Sequence, residues 1–288
     1  MSITIDDNIV RKVLETVDHG LVRGLGQRVP GKMCVEAAVC YALGLDHSDD
    51  PQCVSNAVRN LKINLNDSGW SSNKKRAEGL RKLAIAQLGT DQDFNEMAFV
   101  SDLTITSVNS FLSVALRNIG FEAQAELCEQ AESLEAAKSA AAAAKSAVAA
   151  AKCAVAVASA TPEFTVVYAA AEAAEFTAKF AESGAKFAGY AVDDADVASA
   201  AITENAAARF TAGAAGAAAR FAAGAAARFA AAVASAAAES AAGSAGSAAV
   251  FDDSLMLFSD HVTNLLIKHK AKGTEFLYLT EENNHGSK

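Results

Sequence analysis

The sequence predicts an all-α protein: a helical bundle with a long Ala-rich helical insertion and a C-terminal helix that packs back on the N-terminal bundle. Three observations carry this. Apolar residues recur at helical spacing in segment after segment, and no useful stretch alternates with the period of two that a strand requires. Asp, Ser and Gly stand where helix caps and stops belong. From about 129 to 250 roughly half the residues are Ala, the strongest helix former, and ordinary composition then returns. The expected division is 1–128 for the N-terminal bundle, 129–250 for the Ala-rich repetitive region, and 251–288 for the helix and tail that complete the bundle.

Each element has its own signal. Asp6 or Asp7 caps a first helix with Val10, Val13, Leu14, Val17 and Leu21 on one stripe, and Gly24 and Gly26 end it. A second helix runs from about Lys32 to Leu43 and stops at Gly44. Asp50 and Pro51 mark the start of a third, whose Val54, Ala57, Val58, Leu61 and Leu65 share a face. Ser71 or Ser72 caps a fourth, in which Ala77, Leu80, Leu83, Ala84 and Leu88 repeat the pattern before Gly89. Phe94, Met97 and Ala98 suggest a short helix. A better one spans Ser107 to Asn118, with Val108, Phe111, Leu112, Ala115 and Ile119 inward and Gly120 as the stop. At the far end, Leu255, Phe258, His261 or Val262, Leu265 and Leu266 line one side of a helix over Ser254 to Lys270. TEFLYLTE adds an extended or 3₁₀ piece.

The Ala-rich region carries local repeats. AAK recurs at Lys138, Lys145 and Lys152, a step that keeps the lysines on one slowly drifting helix face. Phe176 and Phe187 lie nearly in line, whereas Arg209–Phe210, Arg220–Phe221 and Arg228–Phe229 change phase at the third pair. Long helices broken near Pro162, Gly184 and Gly243 are expected. The region reads as a helical spacer or hairpin; the alternative is a partner-binding arm or a homo-oligomer surface, because Ala-rich helices bury little area alone.

Composition narrows the function. A formal net charge of −9 over 288 residues argues against general nucleic-acid binding, which neutralises phosphates. Five cysteines without paired short spacings suit a reducing compartment. No apolar run reaches the length of a membrane span, and MSITIDDNIVRK lacks the order of a signal peptide. A cytoplasmic protein with no membrane association is the expectation.

Chemistry concentrates in Pro30 to Gly89, which holds three of the five cysteines, the only Trp and the densest basic cluster. Cys34, Cys40, His47 and Cys53 are zinc-type ligands. Six residues on one helix nevertheless put Cys34 and Cys40 about 240° apart, so no metal site is predicted, and no cofactor motif stands out. Cys34 near a helix start is a candidate nucleophile whose thiol the helix dipole would acidify, with His47 as its base. CVEAAVCYALGL faintly resembles the nucleophile helix of papain-like peptidases, although the sheet that presents their His has no counterpart here. Arg59, Lys62, Trp70, Ser71, Ser72, Asn73 and Arg76 form the third candidate. Free N–H groups at a helix start, hydroxyls and nearby cations, Lys74 and Lys75 among them, suit a small anionic, nucleotide-like ligand on whose base Trp70 could stack. The competing structural roles are equally physical: serines as caps, Trp70 in the core and a solvated basic face.

The blocks MCVEAAVCYALG, DHSDDPQCV, VRNLKINLND, WSSN, RAEGLRKLAIAQLG and the C-terminal GTEFLYL resemble an uncharacterised family from tailed bacteriophages and some bacteria, whose members differ in a variable Ala-rich middle. The resemblance covers about the first 90 residues and the last 30. It implies a phage-type protein, in the host cytoplasm if phage-encoded, and no particular activity. Together these readings favour a non-enzymatic binding or interaction protein whose partner is a host or phage protein or a small anion. The alternative is a cysteine-dependent hydrolase using Cys34.

Overall fold

The computed structural model describes residues 3–118, 120–155 and 247–281, and the repeats and breaks expected between 156 and 246 lie outside them. The chain divides into two compact units, one formed by 1–95 with 230–288 and the other by 96–229. The boundary between the two units after the opening helices falls at Asn95. All regular structure among the described residues is helical, and a lone bridge between Gly26 and Met33 is the nearest approach to a strand.

The first unit opens with α1 (Asp7–Asp18), capped by Asp6, whose carboxylate accepts from the Ile9 N–H. Val10, Val13, Leu14, Val17 and Leu21 are all buried, so the stripe is a core face. The helix ends at Asp18, earlier than Gly24, because Gly20 takes a φ of 104°. Next, α2 (Val35–Ala42) starts late, with Cys34 itself as the cap. Asp50 and Pro51 do not begin a helix. Gln52 turns the chain at a φ of 58°, Asp50 pairs with Arg59, and Ser55 caps α3 (Asn56–Asn66) instead. Ser72 caps α4 (Asn73–Ala86).

The central element is α4, which touches α1, α2, the last α-helix and the 3₁₀ helix that follows. That last helix, here α9 (Ser247–Lys268), runs alongside α4 in the same direction. Its Asp252 carboxylate accepts from the backbone N–H and the hydroxyl of Ser71 just before α4, and Gly273 N–H donates to Leu88 O just after it, at 2.7 Å. The C-terminal helix therefore packs on the N-terminal bundle, and Leu255, Phe258, Val262, Leu265 and Leu266 are its buried side. The 3₁₀ helix (Lys272–Thr280) lies so close to α4 that a Cβ on Gly273 would stand 2.0 Å from Ile85 O.

In the second unit α5 (Glu96–Thr106) is longer than the short helix expected, and Phe99, Val100 and Leu103 are its buried side. A π-helical turn (Ser107–Leu112) leads into α6 (Ser113–Asn118), splitting the helix expected over 107–118. Val108, Leu112 and Leu116 are buried, Phe111 is half-buried, and Ile119 lies outside the described residues. Gly120 ends the helix at a φ of 83° as expected. Two further helices, α7 (Glu122–Glu129) and α8 (Leu134–Val155), follow, the latter burying Ala137, Ala140, Ala141 and Ala144 at i, i+3, i+4, i+7. Arg117 forks onto Glu129 and also reaches Glu122, an exposed network.

Candidate functional site

Two settings in the first unit gather charge, one sealed and one open. The sealed one joins α2, α3 and the end of α4. Glu36, Lys62 and Gln87 are each wholly buried, with Lys62 Nζ 3.4 Å from Glu36 Oε1 and Gln87 Nε2 donating to Glu36 Oε2 at 3.1 Å. Burial disfavours both charged forms: the Glu36 carboxyl titrates higher and the Lys62 ammonium lower than usual, and their mutual attraction only partly offsets this. Lys62 is thus an interior residue with no route to a ligand.

The other residues singled out in the sequence also have interior partners. Arg76 is buried, and its guanidinium donates to Asn66 O at 2.7 Å, Leu21 O at 3.1 Å and Asn73 Oδ1 at 2.9 Å. Trp70 is buried with its indole N–H on Leu65 O, and its ring lies where a side chain on Gly79 would stand, 2.2 Å from that Cβ. Ser72 caps α4 and Ser71 holds Asp252. Arg59 pairs with Asp50 at 2.9 Å. The cavity where Cys34, Asp49 and Asn66 meet is about 50 Å³, room for a water or two.

Cys34, Cys40, Cys53 and Cys128 are buried thiols. Cys34 Sγ accepts the Ala37 N–H at 3.3 Å as the cap of α2, yet burial outweighs the cap and pushes its pKa up to about 11. The expected acidification by the helix start is reversed, and the thiol stays protonated at neutral pH. Burial likewise raises Cys40, and takes Cys53 to about 12. His47 Nε2 donates to Gly26 O at 3.2 Å rather than facing the Cys34 sulfur. Among the described residues no three His, Cys, Asp or Glu side chains gather as metal ligands.

The open setting is a cleft of about 810 Å³, the size of a ligand pocket. From α4 come two adjacent rows, Asn73, Ala77 and Arg81 and, beside them, Lys74, Glu78 and Lys82, each row at a spacing of four residues. Opposite stand Asp18 and His19 at the end of α1, with Met256 and Asp260 of α9. Arg81 is already used: it grips the Asp18 carboxylate at 2.6 and 3.2 Å and donates to Thr280 O at 2.5 Å. Glu78 pairs with Lys75 at 2.9 Å. His19 Nδ1 donates to Glu15 O at 2.7 Å, which leaves Nε2 for the cleft. Lys74 and Lys82 have no ion-pair partner among the described residues, and neither has Asp260. No family model, curated protein or solved structure matches the chain.

Of the sequence candidates only Asn73 lines this cleft, beside the Lys74 noted with them. That His19, Lys82 and Asp260 meet in one cleft is not legible in the sequence, because they come from three elements whose meeting no local spacing encodes. Glu36 did carry a signal: it is the one charge in the otherwise apolar run CVEAAVCYALGL. Among the described residues no helix is long and apolar enough to cross a membrane.

Proposed function

We propose that this chain is a non-enzymatic binding protein of phage type, and that its target enters the cleft between α1, α4 and α9 through anionic groups. The supporting observation is that Lys74 and Lys82 line a cleft of about 810 Å³ without ion-pair partners among the described residues, in a chain whose net charge is −9. Cations left unpaired on an acidic protein are a local attraction for negative groups. Those groups belong either to a nucleotide-like small molecule or to acidic side chains of a host protein. The phage-type assignment rests on the sequence blocks quoted above.

The test is thermal denaturation in the presence of a nucleotide panel and of acidic peptides. A ligand at about a hundredfold its Kd stabilises the native state by about 2.7 kcal/mol, which raises Tm by several degrees. The Lys74→Glu/Lys82→Glu variant should keep its own Tm and lose that rise. A flat response to every anion, or a rise unaltered in the double variant, removes the reading.

A further inference from the structure

We infer that the cleft takes an extended peptide segment of a partner protein in which one basic residue is flanked, two positions to either side, by acidic ones. The inference rests on the proposed reading of the cleft as the binding site and narrows its ligand. Three charges form one slanting row on α4, Lys74, Glu78 and Lys82, at i, i+4 and i+8, each turned about 40° from the one before. With a rise of 1.5 Å per residue they are about 6 Å apart along the axis, about 12 Å end to end.

The middle of this row is acidic from both walls. Since α9 runs in the same direction as α4 and Asp252 meets Ser71, Asp260, eight residues on, lies about level with Gly79, and it lines the same cleft as Glu78. Glu78 is shared only with the exposed Lys75, a weak pair that leaves its second oxygen open. Cation, two carboxylates and cation therefore follow one another down the cleft. A compact polyanion would satisfy one lysine and meet Glu78 and Asp260 with like charge. An extended peptide instead repeats one face every second residue, about 6.7 Å, close to the spacing of the α4 row. Acidic groups at its first and fifth positions meet Lys74 and Lys82, and a basic group at its third meets Glu78 and Asp260.

The experiment uses the full chain and two end-blocked, fluorescently labelled peptides of seven residues. One has Glu, Lys and Glu at its second, fourth and sixth positions between glycines, and the other has all three charges reversed. Anisotropy at low salt should show the first binding about tenfold tighter than the second. The Lys74→Glu/Glu78→Lys/Lys82→Glu variant, whose changes are all exposed, should reverse that preference while keeping its circular dichroism spectrum. Equal binding of both peptides, a preference that the variant leaves unreversed, or binding of neither overturns the inference. If neither peptide binds but inorganic pyrophosphate does, with loss in Lys74→Glu/Lys82→Glu, this inference falls while the cleft remains an anion site. If no probe binds at all, both readings fall.

Discussion

Two lysine–glutamate pairs of the first unit, Lys62 with Glu36 and Lys75 with Glu78, have opposite consequences. Lys62 and Glu36 are 0% exposed, whereas Lys75 and Glu78 are 47% and 42% exposed. Inside, taking both charges out of water costs more than their attraction returns unless the geometry is very good, and 3.4 Å is not very good. Outside, water solvates each partner whether or not they touch, so the pair is almost neutral energetically and its members remain open to a ligand. The interior pair therefore makes the loss of either partner alone costly, while the charges beside the exterior pair are the ones available for recognition.

The largest effect should come from breaking the interior pair on one side only. Lys62→Met leaves Glu36 buried without a counter-charge, and a loss of about 3–5 kcal/mol in urea denaturation is expected. Its pH dependence has a defined sign. Burial raises the Glu36 pKa in the folded state above its unfolded value, so the deprotonated form is a penalty carried only by the native protein. In Lys62→Met that penalty should fade, and stability recover, as pH falls through the folded pKa toward the ordinary carboxylate range. Glu36→Gln/Lys62→Met should regain most of the loss at neutral pH. A double variant no more stable than Lys62→Met would show that the pair itself holds these helices.

Much of the helical framework is readable from local pattern, because a stripe such as Val10, Val13, Leu14, Val17 and Leu21 is buried wherever its neighbours come from. Caps are local too: Asp6 and Ser72 act where their positions predict. What pattern misreads is competition. Asp50 before Pro51 has every local feature of a helix start, but it spends its carboxylate on Arg59 and Gln52. Arg76 and Lys62 look like ligand-binding cations in sequence because nothing nearby reveals that Leu21, Asn66 and Glu36 will receive them. The cleft is the least legible feature, since α1, α4 and α9 meet only in three dimensions.

A smaller effect should follow from loosening the edge where α9 joins the cleft wall. Asp252 is 3% exposed and accepts two hydrogen bonds from the exposed Ser71, so Asp252→Ala removes both bonds and leaves the Ser71 groups to water. A hydrogen bond to a charged group contributes about 1.5–3 kcal/mol, partly recovered here by water at Ser71, so Asp252→Ala should lower the unfolding free energy in urea by about 1–3 kcal/mol. Because this clamp also sets Asp260 level with Glu78, the same variant should lose part of the discrimination between the two peptides. Unchanged discrimination would mean that α9 keeps its register through its apolar side alone.

The smallest effect sharpens the contrast from its outer side. Lys75→Ala removes the 2.9 Å contact to Glu78, and both side chains are wet before and after the change. The unfolding midpoint should therefore not move measurably, and added salt should not separate variant from parent. Binding is another matter. With Lys75 gone, both oxygens of Glu78 face the cleft, and the peptide's central basic group meets an undivided carboxylate. Lys75→Ala should thus bind that peptide at least as tightly as the parent does. Weaker binding would mean that the Lys75 contact orients Glu78 for the ligand, making the exposed pair part of the site rather than a competitor for it.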